Sequence, residues 1–222
     1  MGPVDNIMSN LTPVTWLWLS TTALYLIFRF WYDGLRRPLS AQEVEDFMAR
    51  SAPAPGSPGK SHTDPAILRT FLESDDGREF VMCNWVKLHP QPMPHPTSGK
   101  PTPPMDLLQA YIKPFLKVLF MHGGHPVLAA RKVAGYVDSW NTPPDPGCTL
   151  LGMMRYRSRR DMMKLAMHPR FLGGHAFKFA AIEATFSFPT QVVSSLVLGP
   201  RWSVALALAL TAALVQLSFF SH

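Results

Sequence analysis

The sequence predicts an α+β protein in which one globular domain lies between two membrane-spanning helices. Three observations predict this class. An uncharged apolar segment lies near each end of the 222-residue chain, strand-like and helix-like patterns alternate between them, and all 21 Lys and Arg residues fall between Arg29 and Arg201. The 22 prolines and 14 glycines interrupt the chain too often for a long coiled coil, a collagen-like repeat or an all-helical solenoid.

The first apolar segment covers residues 14–28 without a charge, and its apolar neighbours extend it to the roughly 20 residues that a helix needs to cross a bilayer. Arg29 follows at its end, where a long side chain can reach the headgroup level at low cost. A cleaved signal peptide is the alternative, but no basic region precedes the segment and no small-x-small site follows it. We therefore expect an uncleaved anchor over residues 1–37. The side chains expected at the membrane interface are Trp16, Trp18, Arg29, Trp31, Arg36 and Arg37.

The second apolar segment, residues 202–220, has no charge, and its length and terminal position are unusual for a helix of a soluble core. Arg201 and Trp202 are expected at its interfacial end. The preceding residues, 190–198, are too few to cross and predict an interfacial segment. Together these segments form the region 190–222. Small residues within it suit close packing against another helix.

The distribution of cations predicts how the chain lies in the membrane. Arg29, Arg36, Arg37 and Arg201 flank the inner ends of the two segments, and the positive-inside rule then places the central residues in the cytoplasm. We expect a protein of the inner (cytoplasmic or intracytoplasmic) membrane with two spans. The two cysteines, Cys83 and Cys148, fit a reducing compartment and are expected to be buried thiols.

After the first span, Ser40 and Glu43 match a capping box, which predicts a short juxtamembrane helix. A linker rich in Pro, Gly and Ser follows at residues 51–65. Residues 38–75 are therefore interpreted as a juxtamembrane helix, a linker and a further helical turn or two at 67–73.

Strand and helix patterns alternate through residues 76–189. Period-two patterns predict four strands, at residues 78–88, 127–137, 149–156 and 180–188. Period-3.6 spacing predicts a helix over 105–121, kinked at Pro114 and stopped at Gly123-Gly124, while the proline-rich stretch 89–104 is expected to be a loop. A second capping box predicts another helix after the third strand. The order β-α-β-β-α-β predicts a ferredoxin-like unit, a four-stranded antiparallel sheet with two helices on one face.

Four strings within residues 76–189 carry a resemblance to a known family: DGREFVMCNWVKL, GGHPVLAARK, MRYRSRRDMMKL and FKFAAIEATFSFP. They resemble an uncharacterised bacterial family of dimeric α+β barrel proteins, here in a membrane-anchored form. The resemblance implies that the open face of the sheet pairs with a second copy of the chain. Relatives of that family include small-molecule isomerases and monooxygenases, but no catalytic signature of theirs transfers to a matching residue here.

The most distinctive string holds a dense cluster of cations beside Tyr156, namely Arg155, Arg157, Arg159, Arg160 and Lys164. One interpretation is an anion pocket at a helix N-terminus. A second, which we favour, is contact of these residues with anionic lipid or with the acidic surface of a neighbouring subunit. A third is internal pairing of Arg155 or Arg157 with Glu183 or Asp161. A nucleic-acid surface is disfavoured because the cluster lacks interleaved aromatic residues.

Two pairs of histidines have spacings that could serve a metal or haem, His122 with His125 and His168 with His175, but turns at helix ends explain both spacings. The sequence contains no phosphate-binding loop, GxSxG, HExxH or kinase motif. No catalytic residue, cofactor or metal is therefore assigned.

These observations leave two functional hypotheses. The first is a non-catalytic structural or assembly subunit of a multi-subunit membrane complex of the respiratory or photosynthetic type, whose partners are integral-membrane subunits and anionic lipids. The alternative is a membrane-tethered enzyme or binder of an apolar small molecule, with Tyr156, Arg155 and Arg157 in a cavity between sheet and helices. A pocket at these side chains would favour the second hypothesis, and a filled core with arginines directed at a neighbour would favour the first.

Overall fold

The computed structural model describes residues 12–51 and 64–220 of the chain. The predicted linker at 51–65 lies almost entirely outside the described residues. The chain divides into two compact units, which we call the helical unit (Met1–Gly34 with Val193–His222) and the globular unit (Leu35–Val192).

The described residues form eight helices and six strands. The helices are α1 (Pro13–Asp33), α2 (Ala41–Ser51), α3 (Pro65–Glu73), α4 (Pro104–Met121), α5 (Arg159–Ala166), α6 (Pro169–Leu172), α7 (His175–Ala181) and α8 (Pro200–Phe220). The strands are β1 (Phe80–Leu88), β2 (Met93–Pro94), β3 (Pro101–Thr102), β4 (His125–Arg131), β5 (Leu150–Tyr156) and β6 (Ile182–Thr190).

In the helical unit, α1 and α8 pack against each other in antiparallel directions. Near one end of the pair, the Trp18 indole donates a hydrogen bond to the Gln216 side-chain oxygen over 2.8 Å. At the other end, Asp33 accepts hydrogen bonds from Arg29 (2.7 Å) and Arg201 (2.8 Å). These contacts join the two helices near both ends of the pair.

One helix of the described residues, α8, is long and apolar enough to cross a membrane, and almost none of its apolar stretch is buried. The predicted first span also forms a helix, α1, of the same 21 residues in length. Because α1 contains Arg29 and several hydroxyl side chains, its hydropathy does not reach that of a spanning helix by composition alone.

The globular unit contains a four-stranded antiparallel sheet in the order β4-β5-β1-β6. Along the chain, β1, α4, β4, β5, the helices α5 to α7 and β6 follow one another. The predicted loop at 89–104 contains the small hairpin of β2 and β3, and it contributes no strand to the main sheet. The predicted mixed α+β class is confirmed.

The core lies between the sheet and the helices. Phe80 and Tyr156 from the sheet pack against Phe115 and Leu119 of α4 and Leu165 of α5. A second cluster joins α2, α3 and α5 through the buried side chains Val44, Phe47, Leu72 and Met163. The apolar face of the predicted juxtamembrane helix is therefore buried within the globular unit.

Two predicted strands differ most from the structure in their bounds. The strand expected at 127–137 starts at His125 and ends at Arg131, because the chain leaves the sheet after the Lys132 N–H bonds to the Thr149 carbonyl. The strand expected at 180–188 is displaced to 182–190, because its two alanines complete α7, and alanine favours helix. Helix α4 continues through Pro114 to the predicted stop, where Gly123 has a φ of 69°.

Candidate functional site

The arginine-rich string lies where β5 ends and α5 begins. Ser158 is the N-cap of α5, since its hydroxyl oxygen accepts the Asp161 N–H over 3.1 Å. The hydroxyl in turn donates to the Asp161 carboxylate over 2.9 Å. The predicted N-cap at Ser158 is therefore confirmed, with the Asp161 carboxylate bonded to the Ser158 hydroxyl rather than to its backbone N–H.

Arg155 is buried, with 4% of its surface exposed. Its guanidinium donates two hydrogen bonds to one carboxylate oxygen of Glu79, over 3.0 and 2.5 Å, and one to the Gly123 carbonyl over 2.5 Å. A buried guanidinium is tolerated only when its donors are satisfied and its charge is balanced. Arg155 thus links the end of β5 to the start of β1 and to the turn after α4.

Arg157 pairs with Asp161 over 2.7 and 3.1 Å. Burial raises the pKa of Asp161, but the hydrogen bonds and charge of Arg157 and the Ser158 hydroxyl outweigh it and lower that pKa overall. The nearby His122 ring, 4.0 Å from the same carboxylate, has its pKa lowered by burial. Arg157 and Asp161 therefore form an ion pair within the cluster.

Arg159 reaches across to α3 and the turn that follows it. It donates to the Phe71 carbonyl and to the Ser74 hydroxyl (2.8 Å), and its guanidinium lies 4.5 Å from the centre of the Phe71 ring. It also lies 3.5 Å from the carboxylate of Asp75, whose side chain is 1% exposed. Asp75 accepts the Leu39 N–H over 2.9 Å, so the two residues fasten α3 and the segment before α2 to α5.

The Arg160 guanidinium donates two hydrogen bonds to the carboxylate of Glu43 in α2, over 2.9 and 3.1 Å. It also donates to the carbonyls of Arg37 (2.9 Å) and Pro38 (3.0 Å). Hydrogen bonds from Arg160 and from the Ser40 N–H lower the pKa of Glu43 to about 2. The pair therefore stays charged over the whole physiological range.

We call these four arginines and their four carboxylate partners the arginine junction: Arg155, Arg157, Arg159 and Arg160 with Glu79, Asp161, Asp75 and Glu43. Its eight charges balance. The predicted pairing of Arg157 with Asp161 is confirmed. Arg155 pairs with Glu79 rather than with Glu183 or Asp161. Glu183 pairs with Lys87, over 2.7 Å. Lys164 lies exposed in the last turn of α5. Its contact with anionic lipid or a neighbouring subunit remains a prediction.

Tyr156 faces the core, where its ring stacks on Phe80 at 5.3 Å between centres. Burial raises its pKa. The core around it is filled by side chains of α4 and α5. Tyr156 therefore packs as a core residue rather than lining a cavity.

The four histidines singled out in the sequence lie at the ends of helices and strands. Among residues 12–51 and 64–220, no group of three or more His, Cys, Asp or Glu side chains is placed to hold a metal ion. His168 caps α6, where its ring nitrogen accepts the Arg170 N–H over 3.2 Å. His175 packs edge-on against Phe171 at 4.7 Å.

Sequence reasoning missed a pair of polar side chains between α4 and α7. The Lys178 ammonium lies 5.9 Å from the centre of the Tyr111 ring. Burial lowers the pKa of Lys178 and raises the pKa of Tyr111. Neither residue belongs to a motif, so only the three-dimensional packing of the two helices reveals them.

The sheet face opposite the core helices carries exposed aromatic side chains. Cross-strand register places Trp85 beside Phe186, at 6.4 Å between ring centres, and Phe186 stacks on Phe188 at 6.4 Å. Phe186 and Phe188 are 47% and 44% exposed. Cys83 lies on this face but is buried, and Cys148 is also a buried free thiol, as predicted. We call Trp85, Phe186 and Phe188 the aromatic sheet face.

No protein-family model and no curated protein matches this sequence. Two crystal structures are similar to it in fold. That of methylated RPA0582 protein has a TM-score of 0.51 and 16% identity, covering 64% of this chain and 100% of its own. That of the RPA0582 protein of unknown function from Rhodopseudomonas palustris, a structural genomics target, has a TM-score of 0.50 and 15% identity, covering 62% and 99%. At such identities the likeness concerns the fold alone.

Proposed function

We propose that this protein is a non-catalytic structural or assembly subunit of a multi-subunit membrane complex of the respiratory or photosynthetic type. In this proposal α1 and α8 both cross the inner membrane, and the globular unit lies on the cytoplasmic side. The observation that carries the proposal is the antiparallel pair of equally long helices whose apolar side chains point outward.

Helix α8, the more apolar of the two helices, has the length of a membrane span. Twenty-one residues at about 1.5 Å each extend about 31 Å, which matches the hydrocarbon layer of about 30 Å. Because α1 has the same length and is bonded to α8 through Trp18–Gln216 and Asp33–Arg201, a bilayer that surrounds α8 also surrounds α1. The charged side chains Arg29, Asp33 and Arg201 gather at one end, where the interface would lie.

The orientation of the two helices in the membrane follows from the charges beside Arg29, Asp33 and Arg201. Arg36 and Arg37 follow α1 directly, and Arg201 opens α8. The positive-inside rule assigns such a basic end to the cytoplasm. Exposed aromatic side chains suited to the two interfaces are Trp16, Trp18, Trp31 and Trp202.

The outward faces of both helices supply the surface for membrane partners. Large apolar side chains there are 49–74% exposed: Leu19, Leu24, Leu26, Ile27, Phe30, Leu206, Leu210, Leu214, Leu217 and Phe219. In water such a surface would be costly, whereas lipid or the helices of other subunits would cover it. Exposed Val193, Leu196 and Val197 before α8 would extend this apolar surface as an interfacial segment.

We further propose that the globular unit is ferredoxin-like, of the dimeric α+β barrel type, and that the aromatic sheet face pairs with a second copy. The strand order β4-β5-β1-β6 in an antiparallel sheet, together with the β-α-β-β-α-β order along the chain, supports this assignment. The exposed aromatic rings of Phe186 and Phe188 are typical anchors of a protein interface.

The arginine junction supports a structural rather than a catalytic role for the predicted cation cluster, because its guanidiniums fasten α2, α3 and β1 to α5. The alternative hypothesis, a binder with Tyr156 as a polar anchor in a barrel cavity, would need space beside a ring that instead stacks on Phe80.

The test is purification of the full chain from its native membrane in a mild detergent, followed by native gel electrophoresis and mass spectrometry of the band. The proposal predicts integral-membrane subunits that migrate with the chain. A matched variant, Phe186→Ser with Phe188→Ser, should lose pairing between copies but keep the membrane subunits. Recovery of a homodimer without other membrane proteins would contradict the proposed role.

A further inference from the structure

A cleft of about 550 Å³ opens at one end of the sheet, where β1 and β4 end and β5 and β6 begin. Backbone hydrogen bonds join the strand ends beside this cleft. The Thr149 N–H donates to the Val86 carbonyl over 2.8 Å, and the Lys132 N–H donates to the Thr149 carbonyl over 2.9 Å. These bonds join the strand ends on which Leu88, Arg131 and Leu150 of the cleft lie.

Most of the surface that lines the cleft is apolar, with Leu88, Met105 and Leu150 among the contributors. Its volume is within the range of about 300–1,000 Å³ that is usual for small-molecule sites. Such a site typically combines an apolar body with a few polar groups that fix the orientation of the ligand. The size and lining of this cleft fit a small molecule with a substantial apolar portion.

The charged groups of the cleft determine which polar group that molecule should carry. Glu183 is already held by Lys87, with 2.7 Å between the ammonium nitrogen and the carboxylate oxygen. Arg131 also lines the cleft, and its side chain has no hydrogen-bond or ion-pair partner among the residues that the structure describes. The cleft therefore presents one guanidinium whose charge is not balanced within the described part of the chain.

We propose that this cleft is a binding site for a small molecule that joins one carboxylate or phosphate group to an apolar body, with Arg131 as the counter-ion. A guanidinium binds either anion through paired charge-assisted hydrogen bonds. The apolar lining receives the remainder of the ligand. Ligand binding of this kind is independent of the structural role proposed above, since the cleft, the arginine junction and the aromatic sheet face have no residue in common.

The experiment uses the full chain in phosphatidylcholine nanodiscs and measures binding of 2-naphthoate by equilibrium dialysis, with empty nanodiscs subtracted. The neutral 2-naphthamide is the matched ligand. Arg131→Gln should weaken 2-naphthoate binding about tenfold or more, because it removes a charge-assisted pair, while 2-naphthamide binding stays unchanged. Arg170→Gln, which removes an exposed arginine outside the cleft, is the control and should bind both ligands as the unaltered chain does.

A charge reversal separates ligand binding from any structural effect of the substitution. Arg131→Glu should lose 2-naphthoate and prefer 2-naphthylmethylammonium, which an unfolded or distorted cleft would not do. The proposal is overturned if the unaltered chain binds no 2-naphthoate above empty nanodiscs, or if Arg131→Gln binds it equally well. Nanodiscs that contain phosphatidylglycerol identify the source of the anion: competition with 2-naphthoate assigns a lipid headgroup, and lack of competition assigns a free anion.

Discussion

Adjacent arginines in this chain have separate carboxylate partners, and the reason is geometric. Arg155 is the penultimate residue of a strand, whereas Arg159 and Arg160 open a helix, so their side chains leave the backbone in different directions. Each guanidinium finds an acid on a different neighbouring element. Because charges in a partly buried site must be balanced, removal of one partner leaves the other charge uncompensated.

The first prediction concerns Glu43. Its pKa falls from an ordinary value of 4.5 to about 2, so its contribution to stability is complete above pH 4.5 and is lost as the pH falls towards 2. Glu43→Gln should lower the free energy of unfolding by about 1 kcal/mol at neutral pH. Thermal unfolding of the full chain in detergent at a series of pH values measures both effects.

In that series, the difference between the unaltered chain and Glu43→Gln should shrink as the pH falls from 4.5 to 2. Asp138→Asn, which removes an exposed carboxylate from a loop, is the matched control and should leave the neutral-pH midpoint unchanged. A difference that is constant across the series would show that the ionised form of Glu43 does not stabilise the fold.

The second prediction concerns Lys178, whose pKa is lowered from 10.5 by burial. Only the uncharged amine attacks an acylating reagent, so Lys178 should react with limiting acetic anhydride at a lower pH than exposed Lys113 and Lys117 of α4. Mass spectrometry of peptides acetylated across a pH series gives the midpoint for each residue. Equal midpoints for the three lysines would contradict the assignment.

At the scale of single elements, local signals were predictable and distant contacts were not. Both helix-start signals, at Ser40 and Ser158, depend on residues three apart in the sequence. The Ser40–Glu43 box forms both of its bonds, and Ser158 forms the N-cap bond to the Asp161 N–H. The bond between Arg155 and Glu79 joins residues 76 positions apart and depends on the register of β1 against β5. A single sequence contains no local signal for such a register.

The difference between local signals and distant contacts also explains why the end of β4 was predicted too late in the sequence. Apolar Val133 and Val137 continue the alternation of β4 in sequence, yet they lie 92% and 94% exposed in the loop that follows. Alternation predicts a strand only while a neighbouring strand supplies hydrogen bonds, and pairing of β4 with β5 ends at Arg131. The cleft at Arg131 depends on this end point and could not be predicted from the sequence.

The turn between α4 and β4 provides the third prediction. A side-chain carbon on Gly124 would lie 2.7 Å from the Arg155 carbonyl oxygen and 2.4 Å from the buried Leu119 side chain. Gly124→Ala should therefore destabilise the globular unit by about 1–3 kcal/mol, because neither neighbour can move freely. The measurement is the thermal unfolding midpoint of the full chain.

Gly152→Ala is the matched control for this prediction. The added carbon there would lie 3.7 Å from the end of the Met154 side chain, an ordinary contact. This variant should unfold within a few degrees of the unaltered chain. If Gly124→Ala were equally stable, the close approach between the turn and β5 would not be a constraint on the fold.

At the scale of the whole molecule, the two units present different surfaces to their surroundings. The globular unit buries three apolar clusters, and the four arginines of its arginine junction are paired with carboxylates. The helical unit directs its large apolar side chains outward, as a membrane segment does. The proposed function depends on this contrast between a globular unit with buried apolar clusters and a pair of helices with exposed apolar faces.

The fourth prediction tests insertion of α8. Leu210 lies at the midpoint of α8 and is 62% exposed. An arginine at the centre of a span costs about 2.5–3.5 kcal/mol in insertion, so Leu210→Arg should reduce the fraction that stays with the membrane pellet after carbonate extraction. Ser203→Arg, near the interfacial end of the same helix, is the control and should remain in the pellet.

The topology of the chain tests the central claim most directly. In a variant with Ser139→Cys, the new thiol lies in an exposed loop of the globular unit, while Cys83 and Cys148 stay buried. A membrane-impermeant maleimide should label this thiol in inverted inner-membrane vesicles and leave it unlabelled in intact cells. Labelling in intact cells, or release of the protein from the vesicles by carbonate, would contradict a cytoplasmic unit held by two membrane helices.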